Sequence, residues 1–278
     1  MASVAHIEGW SSESATIAQI DQALLELRFH SGHGGLPDLR TNVLTHMAWV
    51  PEEWQRAATE TLAGLGERHP SRTLLLFPRT SADDRLEARV SLECHELEGE
   101  ARHLCNEVVE LGFCGIRAEA PASIVEPLLL PNLPVFLRWR GRPPFRTAPF
   151  QQLVELTDRL IVDSAEWPDL PGAYAELEEF FQVTAVSDIA WRRTLPWRAV
   201  LAEAWPDLPD RIAGPQAEAS LIAGWLKSRA RLEVDVEWVD ELPSTDGKSA
   251  SDLLSEELDA FGRDPIYEEA VRAAGASA

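Results

Sequence analysis

Basic residues are scarce in this chain: 25 lysines and arginines stand against 46 aspartates and glutamates, for a formal net charge of -21 at pH 7. Such a surface repels phosphate backbones and anionic lipid, so neither nucleic acid nor a membrane is expected as a partner. Long apolar runs are missing, none approaching the ~18 residues of a transmembrane helix, and the N-terminus lacks a basic segment ahead of an apolar core. A cytosolic protein is the expectation. Cysteine is sparse as well. Cys94, Cys105 and Cys114 are odd in number and confined to the middle of the chain, unlike a secreted disulfide framework, and are expected to be reduced, mostly packed thiols.

The usual catalytic signatures are absent too. No G-x-x-x-x-G-K-[ST] loop and no G-x-G-x-x-G after a strand offers a phosphate cradle, and no G-x-S-x-G accompanies His33-Gly34-Gly35. No catalytic residue is assigned and no cofactor is implied. Cys94-His95 and His103-x-Cys105 place two thiols and two imidazoles close together, but adjacent strand residues point to opposite faces, so no metal site is assigned.

What is present is ordinary globular material, 45% hydrophobic over 278 residues. Residues 14–27 read as a helix capped by Ser14 and ended by the glycine-rich stretch 31–35, and 43–49 as a strand. Pro51 opens a helix with the stripe Trp54, Ala58, Leu62 and Leu65, and the continuous apolar run 73–77 reads as a central strand. From Arg85 the period changes to two, giving a strand with Leu86, Ala88, Val90, Leu92 and Cys94 on one face. Residues 107–112 fit either a strand or a helix, with the glycines favouring the strand. A helix at 122–130, a strand at 134–139, a helix at 149–157 and a strand at 160–163 continue the alternation. The expectation is a layered α/β domain over residues 1–168 with a mixed, largely parallel sheet.

The second expected domain, 169–278, is smaller and helix-rich, with helices at 173–182, 196–205 and 217–230 and an amphipathic strand at 232–238. Two more helices close it, one capped by Ser251 and one started by Asp264-Pro265. The breaker-rich segment 167–172 is the expected boundary, with 206–215 as the alternative breaker-rich stretch.

Two islands of positive charge stand out. Residues 188–205 carry Trp191, Trp197 and Trp205 beside Arg192, Arg193 and Arg198, the residue types most enriched at the energetic centres of interfaces. After Pro196, residues Trp197, Val200, Leu201, Ala204 and Trp205 keep helical spacing, so Trp197 and Trp205 are expected in the core. Trp191, Arg192, Arg193 and Arg198 remain as the candidate partner contact. The other island is Arg138, Arg140, Arg142 and Arg146, which suits a sugar phosphate, an acidic partner surface, or pairing with the protein's own carboxylates. Asp163-Ser164 follows a buried strand, where ligands of open α/β sheets are met, and equally suits capping of the next turn.

Seven stretches in order resemble the OpcA family, the glucose-6-phosphate dehydrogenase assembly proteins. They are Arg40-Thr41-Asn42-Val43-Leu44-Thr45, Glu67-Arg68-His69-Pro70-Ser71-Arg72, Pro127-Leu128-Leu129-Leu130-Pro131-Asn132-Leu133-Pro134, Asp158-Arg159-Leu160-Ile161-Val162-Asp163-Ser164, the Trp/Arg segment, Ala223-Gly224-Trp225-Leu226, and the helices over 256–272. The resemblance implies a cytosolic, non-catalytic protein that binds glucose-6-phosphate dehydrogenase and promotes its assembly into an active oligomer at the entry to the oxidative pentose phosphate pathway. The chain departs from the family in having no cysteine after Cys114, so thioredoxin-linked control is not carried over, and in an abbreviated region after Pro206, so an interface borne by that section is not carried over either. A rival from another class is an α/β sensor or enzyme that binds a small phosphorylated metabolite between Asp163-Ser164 and the Arg138 to Arg146 cluster.

Overall fold

Parallel strand pairs joined by helices dominate the chain, giving the α/β architecture that its alternating pattern implies. The computed structural model describes residues 4–30, 42–62, 65–66, 68–81, 83–96, 103–239 and 247–276. The glycine-rich stretch 31–35 lies outside the described residues, as do Arg40, Thr41 and Glu67. The chain divides into two compact units, Met1–Arg140 with Arg146–Asp158, and Gly141–Phe145 with Arg159–Ala278. The segment 167–172, expected as the boundary, lies inside the second unit. No helix among the described residues is long and apolar enough to cross a membrane.

The first unit runs β1 (Val4–Ser12), α1 (Ile17–His30), β2 (Leu44–Trp49), α2 (Gln55–Leu62), β3 (Ser71–Arg79), β4 (Leu86–Glu96), β5 (His103–Cys114), α3 (Ala122–Val125), β6 (Val135–Trp139) and α4 (Ala148–Glu155). Its strands lie in the order β1-β4-β5-β3-β2-β6. The pairs β2/β3, β2/β6 and β3/β5 are parallel, whereas β1/β4 and β4/β5 are antiparallel. Strand β2 is buried at every position and β3 over its first six, which is why β3 reads as an apolar run without alternation. The stripe of α2 packs as its spacing implies: Ala58 joins Ala48, Val50, Leu75 and Val108, with Trp54 and Leu62 against them. Indole stacking adds to this core, with Trp49 and Trp139 at 4.9 Å between centroids and Phe150 edge-on to Trp139.

Three expectations for this unit are corrected. Periodicity did not anticipate β1. The cap of α1 is Thr16 rather than Ser14: the Gln19 backbone N–H donates to the Thr16 hydroxyl, and the Gln19 side chain accepts from the Thr16 N–H, while the Ser14 N–H donates back to Ser12. Cys94 and Cys105 are bonded to each other rather than reduced, because the β4/β5 register sets them directly opposite. Their bond occupies both sulfurs that the metal reading would need. Cys114 is a buried free thiol.

The second unit contains β7 (Arg159–Val162), α5 (Ala173–Glu178), β8 (Ala185–Asp188), α6 (Ile189–Arg193), α7 (Leu195–Glu203), β9 (Arg211–Gly214), α8 (Gln216–Ala230), β10 (Asp235–Trp238), α9 (Ala250–Leu258) and α10 (Pro265–Gly275). Strands β7 and β8 pair in parallel, as do β9 and β10. Helices α8 and α10 cross so closely that a Cβ on Gly224 would stand 2.2 Å from the Ala270 carbonyl oxygen, which makes glycine a packing requirement there. The alternation over 232–238 does produce a strand, but β10 is exposed at all four positions, Trp238 included. Helix α9 is capped by Ser249 in a reciprocal box with Asp252, two residues before the expected Ser251. Asp264 caps α10 through the N–H groups of Ile266 and Tyr267, with Pro265 in the first turn as its sequence implies.

Candidate functional site

Strands β7 and β8 end side by side, Val162 opposite Asp188, and the chemistry of the second unit collects at those carboxyl ends. Asp188 caps α6 by accepting from the Ala190 N–H at 2.8 Å, and the same oxygen accepts the Ser164 N–H at 3.0 Å. It is fully buried, and burial first, then the nearby Asp163, pushes its pKa up to about 7. The Ser164 hydroxyl lies 3.0 Å from the Tyr174 hydroxyl, and Tyr267 reaches toward Asp188 from α10. Asp163 caps the turn after β7 through the Ala165 N–H and holds Arg193 in a fork of 2.6 and 3.0 Å, while Arg193 Nε donates to Glu218 of α8 at 2.6 Å. Burial opposes the Arg193 charge, but the two carboxylates outweigh it and raise the guanidinium pKa.

Asp163 and Ser164 therefore act as caps and network members, the structural alternative their position allowed. Arg142, in the same unit, is paired with Asp169 at 2.8 Å and with Glu176. In the first unit Arg138 and Arg140 are buried; Arg138 donates to the Trp139 carbonyl and Arg140 to Thr61 Oγ1 at 2.7 Å. Of the three readings open to this cluster, internal hydrogen bonding and pairing is the one observed for these three arginines.

The Trp/Arg segment is inverted relative to its periodicity. Trp191 is only 6% exposed; its indole N–H donates to Asp264 at 3.0 Å and its ring lies 5.9 Å from that of Tyr267. Trp205, expected in the core, is 60% exposed, and α7 buries none of its residues, so Trp197 is no core residue either. The physical reason is the short helix α6: Asp188 starts it eight residues before Pro196, and that turn presses Trp191 inward. Helical spacing identifies an apolar stripe but not whether another element covers it.

The remaining arginines of the segment differ in their partners. Arg192 pairs with Glu257 at 2.7 Å and lies 3.7 Å from Glu256. Arg198 stacks its guanidinium 3.6 Å over the Trp191 ring, and its hydrogen bonds go to the Thr194 hydroxyl and the Trp191 carbonyl. Burial pulls its pKa down to about 10. Sequence reasoning missed Arg159, Glu218, Glu257 and Tyr267 as members of this region. The four-residue strand β8 was also missed, although Asp188 ahead of Ala190 is a cap signal that pointed to it.

In the first unit the stretches that carry the family resemblance converge on a buried ion pair. Arg72 meets Glu107 at 2.7 Å with both side chains nearly inaccessible, Arg72 Nη1 donates to the Leu128 carbonyl, and Asn42 approaches Glu107. Asp158 fixes β6 by accepting the Val135 N–H at 2.8 Å. These are structural devices, each needing a specific residue type in a specific place.

A family model described as "Glucose-6-phosphate dehydrogenase subunit N-terminal domain" matches residues 63–179. The "Putative OxPP cycle protein OpcA" of Nostoc punctiforme is 30% identical over 178 residues, 58% of this chain and 38% of that relative. The protein of the same description in Synechococcus elongatus is 28% identical over 233 residues, 78% of this chain and 48% of the relative, and that of Synechocystis sp. is 27% identical over 177 residues. The chain spans less than half the length of each of these relatives.

Proposed function

We propose, from the family-model match over residues 63–179 and the likeness to three proteins described as OpcA, that the chain is an OpcA-type, non-catalytic, cytosolic accessory protein that binds glucose-6-phosphate dehydrogenase and promotes its assembly and activation. The observation that carries the docking part of this reading is the uncovered helix α7. Leu195, Val200 and Trp205 are 46%, 59% and 60% exposed on or beside a helix with no buried residue. Exposed tryptophan and aliphatic side chains grouped in this way mark interaction surfaces, and tryptophan is among the residues most enriched at their energetic centres. The contact expected of Trp191 and Arg193 moves to α7, since Trp191 is buried and Arg193 is held by two carboxylates.

Activation then follows from differential affinity. A protein that binds the competent oligomer more tightly than the inactive form shifts the population toward it, by no more than that difference in affinity. The test is co-purification with the dehydrogenase and activity measured with and without this protein. Replacing Trp205 by alanine and Val200 by glutamate together is expected to weaken the complex by about 2 kcal/mol, roughly 30-fold in Kd, with the fold intact by circular dichroism. Unchanged binding by that variant sinks α7 as the contact; no binding by the wild type sinks the partner.

A further inference from the structure

We propose that the second unit holds a phosphate-binding pocket formed by Arg159, Ser187 and Arg198. These residues line one cavity of about 140 Å³ with Trp191, Phe261 and Asp264 among its other walls. Its volume is about five water molecules' share of the liquid and well below that of ordinary drug-sized ligand sites, so it fits one anionic group rather than a whole nucleotide.

The charge inventory favours an anion. Four arginines line the cavity, Arg159, Arg192, Arg198 and Arg263, against two carboxylates, Glu257 and Asp264. Both acids are already engaged: Glu257 accepts from Arg192, and Asp264 accepts the Trp191 indole N–H with one oxygen and the Ile266 and Tyr267 N–H groups with the other. Arg192 and Arg263 are neutralised by Glu257 and Glu268. Among the described residues, Arg159 and Arg198 form no ion pair with a carboxylate, although Glu257 and Asp264 attract Arg159, and Asp264 attracts Arg198, from farther off. Arg159 donates to the Gly262 carbonyl, and Arg198 donates to the Thr194 hydroxyl and the Trp191 carbonyl. Two guanidinium groups left in this condition, in a chain of net charge -21, are hard to account for as surface decoration.

Ser187 supplies an independent observation. It is 7% exposed, it lines the same cavity from the end of β8, and its hydroxyl has no hydrogen-bond partner. A buried unpaired hydroxyl costs on the order of 1 to 3 kcal/mol unless a ligand or water satisfies it. The N–H groups that these two guanidiniums do not spend on Thr194, Trp191 and Gly262, together with the Ser187 hydroxyl, form a donor set suited to a tetrahedral oxyanion. Burial lowers the pKa of both Arg159 and Arg198, and a bound dianion would reverse that direction. Phe261, 73% exposed at the cavity wall, offers an apolar surface for the organic part of a phosphate monoester.

This inference does not rest on the dehydrogenase as partner, and it is tested on the isolated full chain. Calorimetric titration in an oxyanion-free buffer would use inorganic phosphate, glycerol 3-phosphate and glycerol as probes. Saturable binding of at least one phosphate probe, with none for glycerol, is expected. The stronger of the two phosphate probes identifies whether the source is free phosphate or a monoester. Arg198→Met is expected to weaken binding roughly 10- to 100-fold, and the milder Ser187→Ala roughly 3- to 10-fold, both read beside an unchanged circular dichroism spectrum. Absence of phosphate binding in the wild type, or identical binding in a folded Ser187→Ala and a folded Arg198→Met, overturns the proposal.

Discussion

The first unit buries a histidine among cations, whereas the second buries an aspartate beside another aspartate. His46, on the fully buried strand β2, is pushed down to a pKa of about 3 by burial first and then by His69, Arg138 and Arg140. Asp188, at the end of β8, is pushed up to about 7 by burial and Asp163. Burial favours the neutral form of each group, but the two titrate against opposite neighbours. A single chain can thus contain two polar cores whose stabilities respond to pH in opposite directions, which no whole-chain property such as net charge would reveal.

The largest expected effect probes the ion pairs that brace these cores. Arg193→Ala would strand two buried carboxylates, Asp163 and Glu218, and is expected to cost about 5 kcal/mol in the second unit. Arg72→Ala strands only Glu107 and is expected to cost about 3 kcal/mol in the first. Chemical denaturation followed by hydrogen exchange on β3 and α8 separates the two losses; equal losses would remove the contrast.

Acidification gives the next effect. His46 has a depressed folded pKa, so its contribution is present above 6.5 and is lost as pH falls toward 3. Asp188 has a raised folded pKa, so its contribution is complete below 3.8 and is lost as pH rises through 7. Between pH 6.5 and 4 the first unit should lose on the order of 3 kcal/mol while the second gains a similar amount. Amide exchange corrected for its intrinsic rate should show protection falling at β2 and rising at α8. A parallel change in both would contradict the opposition.

The smallest effect concerns packing. A methyl group at Gly224 meets the main chain of α10, which cannot swing aside, whereas one at Gly112 meets the side chain of Glu87. Gly224→Ala is expected to lower stability by about 1 to 3 kcal/mol, and Gly112→Ala by about 1 kcal/mol or less. Thermal melts of both variants would decide this, and a larger loss for Gly112→Ala would reverse the ranking.

These contrasts also mark how far the sequence could be read. The α/β pattern of the first unit was legible because β3 is an unbroken apolar run and α2 has a clean stripe, both consequences of local periodicity. Asp264-Pro265 likewise announced the start of α10. What was not legible depends on residues far apart in the chain. Trp191 is buried where Asp264, 73 positions later, accepts its indole N–H, and Trp205 is exposed, with no later segment among the described residues burying α7. Cys94 and Cys105 were read from parity and compartment, while their bond follows from a strand register that no composition argument contains. The pocket went unseen for the same reason: Arg159, Ser187 and Arg198 lie on β7, β8 and α7, and only folding assembles them.

Thr194 ends α6 and begins α7 at once, fully buried, with its hydroxyl donating to the Trp191 carbonyl and accepting from Arg198. Thr194 alone separates the two helices, so the direction of α7 is set at one buried residue. Arg198, one turn beyond Thr194 on the exposed arm, stacks on the Trp191 ring and lines the cavity with Arg159, so α7 supplies part of that cavity's wall. One short helix thus turns Leu195 and Val200 to solvent and Arg198 to the cavity, with the buried Thr194 as the root of both.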